Sequence, residues 1–159
     1  MLMIFEKHIK ERKYINLDYE IIIGKSICKI KIGMSRKEVH SIYENLTECR
    51  EVPFGYNYEV ISDNNEDFQI FYDEEEIVEF ILCTNPKQMH LNGKYLNREI
   101  SYNDLLDIAM KSNDVEEDSY GFTCDSLGFG VCVIEDDDGN KLIENVQVVI
   151  RDYWKNEPK

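Results

Sequence analysis

Apolar and polar residues alternate, or apolar β-branched residues cluster, in several short runs along the chain, and such runs predict β-strands. Turn-forming residues separate them. Asp73–Glu76 and Asp136–Asn140 are polar connections suited to hairpins, and Asn92-Gly93 is a further turn signal. The predicted strands are Tyr19–Ile23, Ile27–Ile32, Phe54–Ile61, Phe68–Tyr72, Ile77–Leu82, Tyr120–Cys124, Leu127–Ile134 and Leu142–Ile150.

Two helices are predicted from caps followed by apolar residues at spacings of three and four. The first begins after Ser35, with Glu38 completing a capping box, and runs from Arg36 to about Asn45. The second begins after Ser101 and ends near Lys111 or Ser112. The first fifteen residues fit either a helix or a short strand over residues 2–5.

The order of elements predicts an α+β fold in which two main helices pack on one side of an antiparallel sheet. Each helix precedes strands and a hairpin with an acidic tip, and Ser35 and Ser101 are 66 residues apart. This order indicates a degenerate tandem helix–β-hairpin repeat, with units at about 25–84 and 90–152. We expect both units to form a single domain spanning residues 1–159.

The chain of 159 residues is 43% hydrophobic, enough for a core. The longest stretch without a charged residue, 126–134, is far shorter than the ~20 residues that a membrane span needs. Glu6 and Lys7 follow the apolar start, an order unlike that of a signal peptide. We therefore expect a cytoplasmic protein. Its five cysteines lack a C-x-x-C spacing, and Cys28, Cys83 and Cys132 lie in apolar surroundings, which favours burial over disulfides.

Charge is distributed unevenly, and this changes the expected partner. Residues 1–40 contain nine Lys or Arg against five Asp or Glu, whereas residues 41–159 contain nine against 27. The net charge is −14. Phosphate would be repelled by most of such a surface, which argues against nucleic acid, while a basic protein would be attracted. Solubility alone is the alternative explanation.

Candidate chemistry is sparse. His8, His40 and His90 show no metal-ligand spacing, and the acidic run from Asp136 departs from a calcium loop at Gly139 and Gln147. There is no nucleophile elbow, P-loop or dinucleotide fingerprint. The sequence therefore predicts no catalytic residues, no metal and no cofactor, although a site assembled from distant residues, such as a Cys–His pair, stays open.

The remaining candidate for function is a surface in which acidic clusters lie beside aromatic residues, as in proteins that bind basic partners. Tyr120 is better explained as a core residue. For Tyr72 and Trp154 a core position and an interface position are equally compatible with the sequence. The predicted partner interface comprises Tyr72, Asp73, Glu74, Glu75, Glu76, Asp136, Asp137, Asp138 and Trp154.

Two resemblances bear on function. The run Ile32-Gly33-Met34-Ser35-Arg36-Lys37-Glu38-Val39 resembles the helix entry of β-lactamase-inhibitor-like domains, which place one or two helices against an antiparallel sheet. The second unit, from Ile100, lacks the Gly-Met pair. The whole chain, including Leu127-Gly128-Phe129-Gly130, also resembles the immunity proteins of bacterial polymorphic and contact-dependent toxin systems. That resemblance implies a non-catalytic protein that covers the active site of a basic toxin domain.

The sequence thus predicts a monomeric or weakly dimeric immunity protein that neutralises a cationic toxin domain, such as a nuclease, without nucleic acid or membrane as partner. Two alternatives stay open: a non-catalytic intracellular interaction module with another partner, and a small enzyme with a site built from distant residues.

Overall fold

The computed structural model describes residues 17–156, and within them the chain is mostly β-strand with two helices. The predicted α+β class is confirmed. The alternatives of a helix or a strand near residues 2–5 lie outside the described residues.

Eight strands form the larger sheet, in the order β10-β11-β12-β13-β7-β6-β5-β4, with every neighbouring pair antiparallel. The central pair, β13 and β7, joins two four-stranded meanders. The strands are β4 (Thr47–Glu51), β5 (Val60–Asn64), β6 (Phe68–Tyr72), β7 (Val78–Cys83), β10 (Val115–Asp118), β11 (Gly121–Cys124), β12 (Phe129–Glu135) and β13 (Lys141–Val149).

Five short strands form a smaller sheet in the order β3-β2-β1-β8-β9. All its pairs are antiparallel except β1 with β8. Asn92 and Gly93 both have positive φ, at 53° and 78°, which is the geometry of the tight hairpin turn that their sequence predicts. These strands are β1 (Glu20–Ile22), β2 (Ser26–Ile27), β3 (Ile30–Lys31), β8 (His90–Leu91) and β9 (Lys94–Tyr95).

Helix α1 (Arg36–Ile42) and helix α2 (Tyr102–Ala109) both begin at the predicted serine caps. The Ser101 hydroxyl accepts the Asp104 N–H, and the Asp104 carboxylate accepts the Ser101 N–H, so this capping box is complete. At α1 the Ser35 hydroxyl accepts the Glu38 N–H but donates to the Glu38 carboxylate. Helix α1 ends three residues before the predicted end at Asn45. Short 3-10 turns lie at Leu17–Tyr19 and Pro86–Gln88.

The complete capping box allows a quantitative prediction. Replacing Ser101 with alanine removes the acceptor for the Asp104 N–H, so the free energy of unfolding should fall by about 1 kcal/mol. Urea unfolding of Ser101→Ala and of the exposed control Ser119→Ala measures the difference. An effect of Ser101→Ala no larger than that of the control would contradict the assignment.

One face of the larger sheet, called here the inner face, contributes the centre of the core. Register places Ile70, Ile81, Val148 and Phe129 side by side across four strands, and all four are fully buried. Residues of the smaller sheet, such as Ile21 and Leu91, belong to the same buried cluster. All five cysteines are free: Cys83 is buried as predicted, whereas Cys28 and Cys132 are half-buried, Cys49 is exposed and Cys124 is buried.

Two strand predictions need correction, and two further strands were not predicted. Ile27–Ile32 is not one strand, because Cys28 has a φ of 57° and turns the chain between β2 and β3. Residues 54–59 form a loop, because Gly55 has a φ of 87° and the Tyr56 N–H donates to the Pro53 carbonyl, closing a turn. Strands β4 and β10 were not predicted, since they are sheet edges whose residues are nearly all exposed and carry no apolar alternation.

Within residues 17–156, no helix has the length and apolar character required to cross a membrane.

Candidate protein-binding site

The two predicted acidic tips adopt the same backbone structure. In the first, the Asp73 N–H donates to the Ile77 carbonyl, and Asp73 Oδ1 accepts the N–H groups of Glu75 and Ile77. In the second, the Asp136 N–H donates to the Asn140 carbonyl, and Asp136 Oδ1 accepts those of Asp138 and Asn140. The leading aspartate therefore builds each turn, and the later acidic residues of each tip are the ones that face solvent.

The two tips lie at opposite ends of the larger sheet. Strands β7 and β13 pair antiparallel with Cys83 opposite Val146, so their hairpin connections point in opposite directions. At a rise of about 3.3 Å per residue, the tips are roughly 40–50 Å apart. A standard interface of roughly 800 Å² per partner spans about 30 Å. The two tips are therefore farther apart than an interface of standard size spans, and the predicted interface divides into two groups.

Two predicted interface residues do not belong to the exposed surface of either tip. Tyr72 is 4% exposed and donates its hydroxyl to Asp63 Oδ2 at 2.7 Å, so it is a core residue and not a contact surface. Trp154 is half-buried on the opposite, outer face of the sheet. Its ring lies against Gly130, where a Cβ atom would come within 3.1 Å of Trp154 Cη2. Tyr120, expected in the core, is instead 75% exposed at the β10–β11 connection.

A loop missed by the sequence analysis lies beside the first tip. Residues 52–59 connect β4 to β5, and the register of β5 with β6 brings this loop to the same end of the sheet as the β6–β7 hairpin. Phe54 is fully exposed, and Val52 and Tyr58 are 61% and 40% exposed. We call residues 52–59 and 73–76 together the first end, and residues 119–120 and 136–140 the second end.

The first end contains a cleft of about 300 Å³ with an acidic lining. Tyr58 and Ile61 supply apolar surface, and the carboxylates belong to Glu59, Asp73, Glu74 and Glu79. The Tyr56 and Tyr58 rings are 5.1 Å apart. Carboxylates beside aromatic rings form an environment that suits the cationic side chains of a basic protein.

Beneath the first end lies a buried ionic cluster centred on Asp63, which is 1% exposed. Arg36 donates to both carboxylate oxygens, from Nε at 3.0 Å and Nη2 at 3.1 Å. Tyr72 and His40 Nε2 each bond Asp63 Oδ2 at 2.7 Å. Register explains this contact, because Asp63 lies opposite Ile70 on the inner face, where the side chain of Arg36, in the first turn of α1, reaches it.

Arg36 extends this cluster towards the surface. Its guanidinium also bonds Glu48 on edge strand β4, and Nη1 lies 3.3 Å from Glu76 at the first tip. Arg50 continues the chain of charges from Glu48 to Glu59, which is 3.2 Å from Arg50 Nη1. Glu74 and Glu75 are exposed and have no ion-pair partner among residues 17–156. Glu74 and Glu75 are therefore the fully solvent-facing carboxylates of the first tip that no cation within residues 17–156 neutralises.

The cluster shifts proton affinities in definite directions. Burial alone raises the pKa of Asp63, but hydrogen bonds from Arg36, Tyr72 and His40 outweigh burial and hold the pKa below its usual value. Hydrogen bonding to Asp63 raises the pKa of Arg36, against the effect of burial. Burial, followed by the bond to Asp63, raises the pKa of Tyr72. Arg36 and Asp63 are thus both ionised at neutral pH, and Tyr72 is neutral.

The Asp63–His40 pair is an acid–histidine contact of the kind that the enzyme alternative would use. Among the described residues, Asp63 is the one hydrogen-bond partner of the His40 side chain, and the neighbouring Ser41 hydroxyl donates to the Glu38 carbonyl at 2.6 Å. The Ser41 hydroxyl is therefore engaged with the helix backbone and not with the His40 ring. Residues 17–156 contain no group of three or more His, Cys, Asp or Glu arranged to hold a metal ion.

Because the pKa of folded Asp63 is lowered, its contribution to stability is present above the unfolded value, near 4, and is lost as pH falls through the folded value. Urea unfolding of the wild type and of Asp63→Asn should therefore show a stability difference that is constant at neutral pH. Below about pH 4 the difference should shrink. A difference that stays constant down to pH 2 would contradict a lowered pKa.

Comparison with models of protein families, with curated proteins and with solved structures finds no match to this chain.

Proposed function

We propose that this chain is an immunity or inhibitor protein that binds and neutralises a cationic bacterial toxin domain, such as a nuclease, through the first end. Binding covers the toxin's functional surface and involves no catalysis by this chain. The observation that carries the proposal is that Glu74 and Glu75, which are exposed and have no ion-pair partner among residues 17–156, lie at the same end of the sheet as the fully exposed Phe54.

Exposed aromatic and charged residues have different roles in such binding. A large apolar side chain that is fully exposed in the free protein gains most from burial in a partner's pocket. Carboxylates at the rim attract a basic partner over a distance and accelerate association. The first end combines both, with Phe54 in the loop and two carboxylates on the adjacent tip.

The second end presents a less suitable surface for such a partner. Its connection between β10 and β11 is two residues long, with Tyr120 as its exposed ring. Apolar exposure nearby comes from Ile134 and Leu142, which are paired with each other on adjacent strands and are 54% and 39% exposed. The side chains of Ile134 and Leu142 are partly covered by each other, whereas Phe54 is fully exposed. We therefore assign the partner to the first end.

We also propose that the two halves are a tandem repeat with both helices on the inner face. Each half is a helix followed by a four-stranded meander, and the two acidic tips share one pattern of hydrogen bonds. Arg36 of α1 contacts Asp63, and the ring of Tyr102 in α2 lies 5.8 Å from Phe122. Register places both contacted residues on the inner face. This arrangement supports the resemblance to β-lactamase-inhibitor-like domains, whose type protein is duplicated.

Co-expression tests the proposed function. The probe is the C-terminal domain encoded by the open reading frame next to this chain's gene, expressed from an inducible promoter with and without this chain. We expect the domain to arrest growth alone and the chain to restore it. The matched variant Glu74→Lys/Glu75→Lys should restore growth less well than Asp137→Lys/Asp138→Lys. Growth arrest unaffected by the folded wild-type chain, with no complex on gel filtration, would contradict the proposal.

A further inference from the structure

Main-chain hydrogen bonds join the start of α1 to the hairpin that bears the first tip. The Gly33 N–H donates to the Val78 carbonyl and the Val78 N–H to the Met34 carbonyl, each at 2.9 Å. The Arg36 N–H, one of the helix N–H groups without an intrahelical acceptor, donates to the Glu76 carbonyl at 2.9 Å. The helix therefore begins on the hairpin itself.

The Arg36 side chain adds a second link to the same place. Its guanidinium donates two hydrogen bonds to the buried Asp63 carboxylate and also reaches the Glu76 carboxylate. Its Cζ also lies 5.5 Å from the centre of the Tyr72 ring, on the last residue of β6. Arg36 thus contacts the tip through both its backbone and its side chain, and its charge is paired with the buried Asp63.

The tip needs such support because its backbone is not in a relaxed conformation. Glu76 has a φ of 60°, the left-handed region that glycine occupies at the corresponding Gly139 of the second tip, where φ is 82°. A residue with a Cβ persists there when its surroundings hold it. The contacts of Arg36 with the Glu76 carbonyl and carboxylate supply that constraint.

We propose that Arg36 is a positioning residue for partner binding. Through the Asp63–Arg36–Glu76 chain it fixes the first tip in one arrangement, so that Glu74 and Glu75 are already in position when a cationic partner binds. This inference rests on the proposed function. Preorganisation reduces the ordering cost of association. Lysine would keep the charge of Arg36 but cannot reproduce a guanidinium that reaches three carboxylates in fixed directions.

The test uses the full-length chain, with an acetylated hexa-arginine peptide as the cationic probe in about 20 mM salt. Amide NMR spectra locate and quantify peptide binding, and hydrogen exchange of the Arg36 and Val78 amides reports on the tip. Arg36→Lys, which leaves net charge unchanged, should weaken binding at the tip about five-fold and accelerate exchange about five-fold, as expected for a lost hydrogen bond.

A matched pair of variants keeps the test decisive if Arg36→Lys does not fold. Glu76→Gln and Glu75→Gln each remove one negative charge, but of these two residues only Glu76 bonds Arg36. Faster exchange of the Arg36 amide is expected in Glu76→Gln and not in Glu75→Gln. Equal exchange in both variants would overturn the positioning role, as would a folded Arg36→Lys variant that binds like the wild type. A wild type whose tip amides do not respond to the peptide would count against the proposed function instead, while the exchange comparison still decides the role of Arg36.

Discussion

Replacing Asp63 with alanine is expected to lower the free energy of unfolding by about 3–5 kcal/mol, the range for removing one partner of a buried ion pair. Asp63 is 1% exposed and accepts hydrogen bonds from Arg36, Tyr72 and His40. Its removal leaves the Arg36 guanidinium, itself buried, without its bidentate acceptor, and leaves the Tyr72 hydroxyl without its partner. The Tyr72 hydroxyl then bears the cost of burial uncompensated, and Arg36 keeps only its contacts with the more exposed Glu48 and Glu76.

Urea unfolding at pH 7 measures this effect, with Asp137→Ala as the control. Asp137 is an exposed carboxylate on the second tip, and its loss should change stability by no more than about 0.5 kcal/mol. The double variant Arg36→Met/Asp63→Leu should recover part of the loss, because an apolar pair has no buried charge to compensate. A loss below about 1 kcal/mol for Asp63→Ala would show that the cluster is solvated in solution.

Replacing Phe54 with alanine is expected to raise the dissociation constant of the complex with the cationic partner about 30-fold or more. This corresponds to about 2 kcal/mol, the threshold for an interface hot spot. The Phe54 ring touches no core residue and is fully exposed, so the folded chain itself should lose less than about 0.5 kcal/mol of stability. A large binding effect with unchanged stability identifies the loop 52–59 as a contact surface.

Tyr120→Ala is the matched control for that experiment. Tyr120 is also an exposed aromatic residue, at 75%, but it lies at the second end. Its removal should change the dissociation constant less than about two-fold, the scatter expected of residues outside the contact. If Tyr120→Ala weakens binding more than Phe54→Ala, the partner binds at the second end. Titration calorimetry or surface plasmon resonance with the partner domain gives both values.

Several elements could be predicted from sequence because a local signal defines them. Strands β6 and β7 combine apolar runs with a polar connection, and the Asp73–Glu76 hairpin lies where that pattern places it. The Ser35 and Ser101 caps mark the helix starts to the residue. In each of these places, local propensity and the demand of the core agree.

The remaining features depend on contacts that no local pattern contains. Asp63 and Arg36 are 27 residues apart and meet because register turns Asp63 inward in a strand whose neighbours give no sign of a buried charge. The aromatic residues of 54–58 alternate as in a strand, yet the chain turns at Gly55 and leaves Phe54 and Tyr58 exposed. The opposite placement of the tips follows from the antiparallel pairing of β7 with β13, a contact between the two halves that sequence patterns do not encode.

The most direct test of the account compares charge reversals at the two ends by stopped-flow association with the cationic partner. Glu74→Lys/Glu75→Lys and Asp137→Lys/Asp138→Lys change net charge equally and replace exposed residues of the two tips. At about 50 mM salt, the first pair should slow association about ten-fold or more and the second less than about two-fold, and the difference should shrink at about 500 mM salt. Equal slowing by both pairs, or greater slowing by the second, would contradict binding at the first end.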